Sequence, residues 1–137
     1  MGSLARLMNT VAEMAARLDE LRERGLRDWV EELAALHALQ VQAQALLDMV
    51  MRAAAELGYA PTSPREAAEI LTAEGLLSRE DYVLVRRVAG LRDIVVHGYA
   101  VVDMELVRRI ISGREYARLV VLASKILEEA GRRGLDP

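Results

Sequence analysis

The chain contains 137 residues, of which 53% are hydrophobic and 28% charged, and it has no cysteine. This length fits one domain with its own core, the composition excludes intrinsic disorder, and the lack of cysteine excludes disulfides and thiolate metal sites. The formal net charge of −3 argues against a protein that coats nucleic acid non-specifically, because such binding grows with the number of phosphates neutralised.

The apolar residues are spread along the chain rather than gathered in one long segment. No apolar run approaches the ~18 residues that a membrane span needs. The N-terminal residues lead directly into an amphipathic pattern, without the apolar core of a secretory signal. We therefore expect a cytoplasmic protein.

Two long helices are predicted at the start of the chain, because apolar residues recur there at spacings of three and four. The first helix runs from about Ser3 to Arg24, and the second from about Arg27 to Leu57 with Gly58 as its stop. Their predicted core positions are Leu4, Leu7, Val11, Met14, Leu18 and Leu21 in the first helix and Leu36, Leu39, Ala43, Leu46, Val50, Ala53 and Leu57 in the second. Helices of this length are typical of an antiparallel bundle.

The second half of the chain predicts one short helix and two longer ones. The capping box at 63–66 begins the short helix, which ends near Ala73. A second helix start at 78–81 opens a helix that carries Leu84, Val88, Leu91 and Val95 inward and ends near Gly98. A last helix, capped by Asp103, runs to about Ala130 with room for a bend at Gly113, and residues 131–137 form a frayed tail.

No alternating β pattern is present, so the predicted fold class is all-α. We expect an antiparallel helical bundle of four main helices plus a short helix. Residues 1–137 form a single domain in this interpretation, with an ordered core at about 4–130.

The residue types that can support chemistry are concentrated between Arg92 and Tyr99. On an ideal helix Asp93 lies one turn before His97, where its carboxylate could hydrogen-bond the imidazole and fix its tautomer. Arg86 and Gly90 continue the same polar face. Arg92 lies about 140° round the helix from His97. Either the arginine side chain reaches round, or the helix end is distorted, or a second subunit completes the site.

A histidine and an arginine without metal ligands suit the cleavage of RNA by its own 2′-OH. Such a reaction needs an acid or base that titrates near neutral pH and a cation for the crowded phosphorane. DNA lacks the attacking hydroxyl and is not an expected substrate. The spacing alone leaves open, and slightly favours, a capping and salt-bridge arrangement at a helix end.

The segment Arg92-Asp93-(three residues)-His97-Gly98-Tyr99 resembles the R-x4-H-x-Y signature of HEPN-domain proteins, specifically the HepT-like toxins. The segment ILTAEGLLS at 70–78 resembles the same family, and so does the order of the helices. The resemblance extends from about residue 4 to residue 129. The resemblance implies a metal-independent endoribonuclease toxin of a toxin–antitoxin pair. It also implies that no cofactor is used and that the motifs of two subunits meet in a cleft of a homodimer.

Site residues follow from the resemblance one by one. Arg92 and His97 are the implied catalytic pair, and Asp93 occupies the polar position after the arginine, which is often asparagine in the family. Tyr99 matches the tyrosine that the partner antitoxin, a minimal nucleotidyltransferase (MNT), modifies with AMP. The alternative for Tyr99 is an aromatic side chain half-buried under the loop.

Other candidates come from charge and from single residues. Residues 84–118 contain seven arginines against four acids, and Arg86, Arg108 and Arg109 are candidate RNA contacts, although exposed arginines usually only face solvent. We expect Trp29 to anchor helices or subunits and His37 to lie at the edge of a helix seam. The competing hypothesis for function is a non-catalytic helical adaptor that binds a nucleotidyltransferase or a nucleotide, and a purely structural dimer is the third.

Overall fold

The computed structural model describes residues 2–97 and 103–135, with the side chains of residues 94–97 excepted. Within these residues the chain is all-α and forms no strand, as the sequence predicts. The helices are α1 (Ser3–Arg24), α2 (Trp29–Glu56), α3 (Pro64–Ala73), α4 (Arg79–His97), α5 (Met104–Ser112) and α6 (Ala117–Arg132). None of the helices in this part of the chain is long and apolar enough to cross a membrane.

Helix α2 lies at the centre, and each of the other five helices packs against it. At its start Asp28 Oδ1 accepts a hydrogen bond from the Glu31 backbone N–H at 2.9 Å, and Glu31 Oε1 accepts one from the Arg27 N–H at 3.0 Å. The first of these bonds satisfies an N–H group that a helix start leaves without a partner, and the second binds the residue before the N-cap to the first turn. The helix therefore begins at Trp29 rather than at the predicted Arg27.

Serine caps begin the next two helices, as predicted. Ser63 Oγ accepts a hydrogen bond from the Glu66 N–H at 3.1 Å to start α3. Ser78 Oγ accepts one from the Asp81 N–H at 3.1 Å, and Asp81 Oδ2 accepts one in return from the Ser78 N–H at 2.9 Å. Lys125 of α6 forms an ion pair with Asp81, so the first turn of α4 is fixed to its neighbour.

Two hydrophobic clusters fill the space between the helices, one around the second half of α2 and one around its first half. Many predicted core positions are buried: Leu4, Val11, Leu18, Leu39, Ala43, Leu46, Val50, Ala53 and Val88. Others pack against the clusters while partly buried: Leu7, Met14, Leu21, Leu36, Leu57 and Leu84. Leu91 is half-buried, and the side chain of Val95 lies outside the described residues.

The predicted last helix is two helices, and the single-helix prediction is wrong. Helix α5 ends at Ser112, and a turn over 113–116 separates it from α6. Arg114 adopts a left-handed backbone conformation with φ +52°, which few side chains other than glycine and asparagine favour. The side chains of Arg114 and Tyr116 in this turn are bound to α1.

Two residues of this turn are bound to Asp19 of α1. Arg114 donates two hydrogen bonds to the Asp19 carboxylate at 2.8 and 2.9 Å, and the buried Tyr116 hydroxyl donates a further one. These hydrogen bonds lower the pKa of Asp19 to about 2. Burial and the hydrogen bond to Asp19 raise the pKa of Tyr116 to about 12. Together these contacts fix the corner between α5 and α6 onto α1.

The C-terminal residues are more ordered than predicted. Helix α6 continues to Arg132, and Leu135 packs against the core while its N–H donates to the Ala130 carbonyl at 2.8 Å. Gly134 permits this with φ +70°, the left-handed conformation that ends helices in this way. The predicted frayed tail is therefore wrong for residues 131–135, and residues 136–137 lie outside the described part.

Two residues singled out in the sequence lie on the surface of α2. Trp29 is 70% exposed, and Val30 and Leu33 beside it are more than half exposed. Trp29 therefore does not anchor the helices of one chain, and of the two predicted roles only a contact between subunits remains. His37 is also exposed, as expected for a residue at the edge of the apolar face of a helix.

Candidate active site

Arg92 and Asp93 lie near the C-terminal end of α4. Arg92 faces α2 and α5, where it lines a small gap together with Leu36, Gln40 and Val107. Its side chain retains 24% of its exposure. A guanidinium held on an apolar stem in this way keeps its charge and loses part of its conformational freedom.

Asp93 joins two arginines from different helices. Its Oδ1 accepts a hydrogen bond from Arg92 Nη2 at 3.1 Å, and its Oδ2 accepts one from Arg65 Nη2 of α3 at 3.4 Å. The hydrogen bonds from Arg92 and Arg65 hold the pKa of Asp93 below its usual value. Asp93 is therefore an anion at neutral pH whose two oxygens both contact cations.

The predicted contact between Asp93 and His97 stays a prediction. His97 is the last residue of α4, but its side chain lies outside the described residues, as does the whole of Tyr99. The angular offset between Arg92 and His97 is thus an expectation from helix geometry. The described partner of Asp93 in the motif is Arg92.

Arg65 is a site residue that the sequence analysis missed. It precedes Asp93 by 28 residues, and the antiparallel packing of α3 on α4 brings the two together. Its only sequence signal was its place in the first turn of a capped helix, which says nothing of tertiary partners. The same packing lets Tyr82 Oη donate to Glu69 Oε1 at 3.4 Å, one turn further along α3.

The three candidate RNA-contacting arginines do not lie together. Arg86 is exposed beside a groove between α3 and α4, with its guanidinium 5.8 Å from the centre of the Tyr82 ring. Arg86 and Asp93 thus both lie on the side of α4 that faces α3, as predicted. Gly90, predicted on the same face, borders a cavity on the α2 side instead. Arg108 and Arg109 instead line a separate open depression with Arg22, at the junction of α1 and α5.

Arg108 also forms an ion pair with Glu32 of α2. This partner offsets its charge, so Arg109 is the more available of the two for a phosphate. Across the described residues, no three His, Asp or Glu side chains come close enough to share a metal ion.

Solved structures show the class of fold. The Shewanella oneidensis HEPN toxin, AMPylated and in complex with an MNT antitoxin, matches with a TM-score of 0.76 at 17% identity, over 89% of this chain and 96% of that one. A toxin–antitoxin structure with AMP-PNP matches with a TM-score of 0.75 at 16% identity, over 88% and 97%. YutE from Bacillus subtilis, a cytosolic protein of unknown function, matches with a TM-score of 0.69 at 16% identity, over 100% and 97%. These likenesses define an all-α protein with the fold of HEPN toxins.

Sequence comparison gives the family. A family model described as Ribonuclease HepT-like matches residues 7–126. No curated protein sequence matches the chain. The protein belongs to the Ribonuclease HepT-like family, as the resemblance around Arg92, His97 and Tyr99 suggested.

Proposed function

We propose that this protein is a ribonuclease toxin of a toxin–antitoxin pair that cleaves RNA without a metal ion. The observation that carries the proposal is the family match over 7–126, which includes the whole Arg92-to-Tyr99 motif. The half-buried Arg92 beside α2 and α5 supports it, because a cation with restricted freedom is suited to stabilise a phosphorane.

The proposed reaction is an internal transfer at the RNA phosphodiester. The 2′-OH loses its proton to a base as its oxygen bonds to phosphorus, and the bond from phosphorus to the 5′ oxygen breaks as that oxygen takes up a proton. The products are a 2′,3′-cyclic phosphate and a free 5′-OH. His97 serves as the acid or base, and Arg92 neutralises the extra negative charge of the phosphorane.

Asp93 acts through Arg92 in this proposal, as a positioning residue. Its carboxylate holds the guanidinium at 3.1 Å. Arg65 also donates to that carboxylate. Asp93 therefore binds Arg92 less strongly than it would alone, and the guanidinium keeps N–H groups that can bind a phosphate. Arg86 and Arg109 are proposed to contact phosphates away from the scissile bond, with Arg108 contributing less because of Glu32.

The proposed assembly is a cytoplasmic homodimer with a nucleotidyltransferase antitoxin. A dimer would bring the Arg92-to-Tyr99 motifs of both subunits to one cleft. Arg92 and His97 would then not need to reach each other around a single helix. The S. oneidensis toxin is AMPylated and bound to an MNT antitoxin, and we propose that Tyr99 is modified in the same way here. Tyr99 follows His97 by two residues, so an added AMP would block the site by its bulk and charge.

The test is cleavage of tRNA and mixed cellular RNA by the purified, partner-free protein in excess EDTA. The wild type should cleave and leave cyclic phosphate ends. His97→Ala and Arg92→Ala should each lose about a hundredfold or more in rate. Mass spectrometry must first show that Tyr99 is unmodified.

Matched controls are available on the surface. The chain contains two histidines, and His37 is exposed, so His37→Ala should cleave like wild type. Arg17 is an exposed arginine paired only weakly with Glu13 at 3.6 Å, and Arg17→Ala should do the same. Equal cleavage by wild type and His97→Ala would refute the catalytic assignment.

A non-catalytic adaptor is the second candidate. The exposed stripe of Trp29, Val30 and Leu33 on α2 favours it, because contiguous exposed apolar residues usually mark a protein partner. Tight co-purification with a co-expressed nucleotidyltransferase, together with no cleavage by the unmodified, partner-free chain, would establish the adaptor and exclude the nuclease.

A further inference from the structure

A cavity of about 440 Å³ opens between α2, α4, α5 and α6. This volume lies within the range of ~300–1,000 Å³ typical of small-ligand sites. Most of its lining is aliphatic: Leu39, Ala43, Leu84, Val88, Leu91, Leu106, Ile110 and Leu119. A largely apolar recess of this size fits a flat ring better than a phosphate or sugar, which would lose their hydration there.

Gln42 is one of the residues that line this cavity, and its buried side chain carries an unpaired hydrogen-bond acceptor. Its side chain is fully buried, and its Nε2 donates to the Val11 carbonyl at 3.3 Å and to the Tyr116 carbonyl at 3.1 Å. These two acceptors fix the orientation of the amide. Its Oε1 has no hydrogen-bond partner among the described residues. A buried acceptor without a donor lowers the stability of the fold. A ligand N–H that donates to Gln42 Oε1 would remove this free-energy cost.

Among the described lining residues, the charged side chains are the exposed ones at the mouth of the cavity. Arg87, Glu115 and Arg118 are exposed side chains that border the cavity. The two arginines can bind phosphates on either side of a base that enters the recess. The carboxylate of Glu115 can accept a hydrogen bond from an amino group at the mouth.

The cavity adjoins the candidate active site. Leu39, Ala43 and Leu91 line both this cavity and the small gap around Arg92. The cavity therefore lies next to the residues that surround Arg92, whose cation can bind the phosphate of a nucleotide that neighbours the bound base. Unstacked single-stranded RNA offers such bases, whereas a duplex does not.

We propose that this cavity is a nucleobase-binding site, which accepts one unpaired base with an N–H group directed to Gln42 Oε1. It rests on the proposed function in so far as that base belongs to the RNA being cleaved. The same chemistry is present in a free nucleotide, and the experiment separates the two sources. The site selects single-stranded RNA and sets which nucleotide lies next to the scissile bond.

The test uses a substitution that closes the cavity without removing a native contact. Gly90 lies at its rim in α4, and a Cβ added there meets no atom within 4 Å. Gly90→Leu should therefore fold and obstruct the mouth. Gly131→Leu is the matched control, because Gly131 is exposed in α6, a Cβ there also meets nothing within 4 Å, and it lies away from the cavity.

Binding is measured by fluorescence anisotropy with a short RNA that carries one 2′-deoxy nucleotide at the cleavage position. Each flanking base is removed in turn to leave an abasic site. One abasic position should weaken binding to wild type on the order of tenfold, the scale of a single base contact. Gly90→Leu should bind the intact RNA as weakly as wild type binds that abasic RNA. Its binding should fall no further when the same base is removed, whereas Gly131→Leu should behave like wild type.

A second arm replaces the critical base with a non-hydrogen-bonding aromatic ring of the same shape. Binding should fall severalfold, since Gln42 Oε1 again lacks a donor. In a third arm, the four nucleoside monophosphates are titrated separately. Millimolar binding that Gly90→Leu abolishes would identify the free nucleotide as an additional occupant.

The outcomes separate this proposal from the proposed function. Cleavage by wild type with no effect of any abasic position, or with equal binding by Gly90→Leu and Gly131→Leu, would overturn the base site and leave the nuclease standing. Absence of cleavage together with nucleotide or RNA binding that Gly90→Leu abolishes would support the site and refute the nuclease. Loss of the dimer in Gly90→Leu alone, measured by sedimentation, would show that a second copy covers the cavity, and would overturn the proposal.

Discussion

Removal of one hydroxyl group at the corner between α5 and α6 should destabilise the protein measurably. Tyr116 is 1% exposed, and its hydroxyl donates to the Asp19 carboxylate. Tyr116→Phe keeps the ring and removes this hydrogen bond together with the interaction of the hydroxyl with Arg114. The substitution therefore isolates one contact between α1 and the turn that follows α5.

The magnitude follows from the charge of the acceptor and its exposure. A hydrogen bond to a charged group contributes ~1.5–3 kcal/mol when well buried. The Asp19 side chain is 37% exposed, and Arg114 also binds it with two hydrogen bonds, so solvent and the arginine replace part of the loss. We expect the free energy of unfolding to fall by about 1–2 kcal/mol, which lowers Tm by roughly 3–6 °C for a chain of this size.

The pH dependence has a defined sign. Asp19 has a pKa of about 2 in the folded protein against an ordinary value of 3.8, so its contribution is fully present above about pH 4 and is lost as the pH falls towards 2. Tyr116 has a raised pKa of about 12, so its contribution is present below about pH 10 and is lost as the pH rises towards 12. Tyr116→Phe should abolish the part of the alkaline loss that Tyr116 contributes, while Tyr59, whose pKa is also raised, keeps its own part. The acid loss should become smaller and be complete at higher pH, because the pKa of Asp19 moves towards its ordinary value.

The assay is urea unfolding followed by circular dichroism at pH 7, and then between pH 2 and 5 and between pH 9 and 12. Tyr82→Phe is the control, because the Tyr82 hydroxyl contacts Glu69 at only 3.4 Å on the surface and should change stability by less than about 0.5 kcal/mol. Equal stabilities of the two variants at pH 7 would refute the assigned strength of the Tyr116 contact.

Two further predictions concern the motif and the exposed stripe. Arg65→Gln should leave the free energy of unfolding nearly unchanged, since the ion pair between Arg65 and Asp93 is exposed. It should slow RNA cleavage severalfold, because Asp93 then binds no cation other than Arg92 and holds it more strongly. Adding Asp93→Asn should restore the rate, and no restoration would contradict this coupling. Trp29→Ser should change the free energy of unfolding by less than about 0.5 kcal/mol, because Trp29 is 70% exposed. It should weaken dimerisation or antitoxin binding in sedimentation, and unchanged assembly would exclude this stripe as an interface.

The sequence by itself determined the helices and most of the core. Local signals suffice for this, because caps such as Ser63 and Ser78 satisfy backbone groups within four residues, and apolar spacing marks the buried face of each helix. The predicted ends of α1, α3 and α4 therefore lie within about two residues of those observed. The motif from Arg92 to Tyr99 was also visible, because it is contiguous.

Only the tertiary structure decided the partners of those residues. Asp93 pairs with Arg65 across 28 positions, and Gln42 contacts residues 31 and 74 positions away. A bend at Gly113 was predicted, but the full break at 113–116 was not, because the positive φ of Arg114 is held by Asp19, on another helix. Helical periodicity describes which face of a helix is apolar, whereas these contacts depend on how the faces are arranged around α2. The local pattern thus gave the elements and the candidate chemistry, and long-range packing decided which charges and cavities meet.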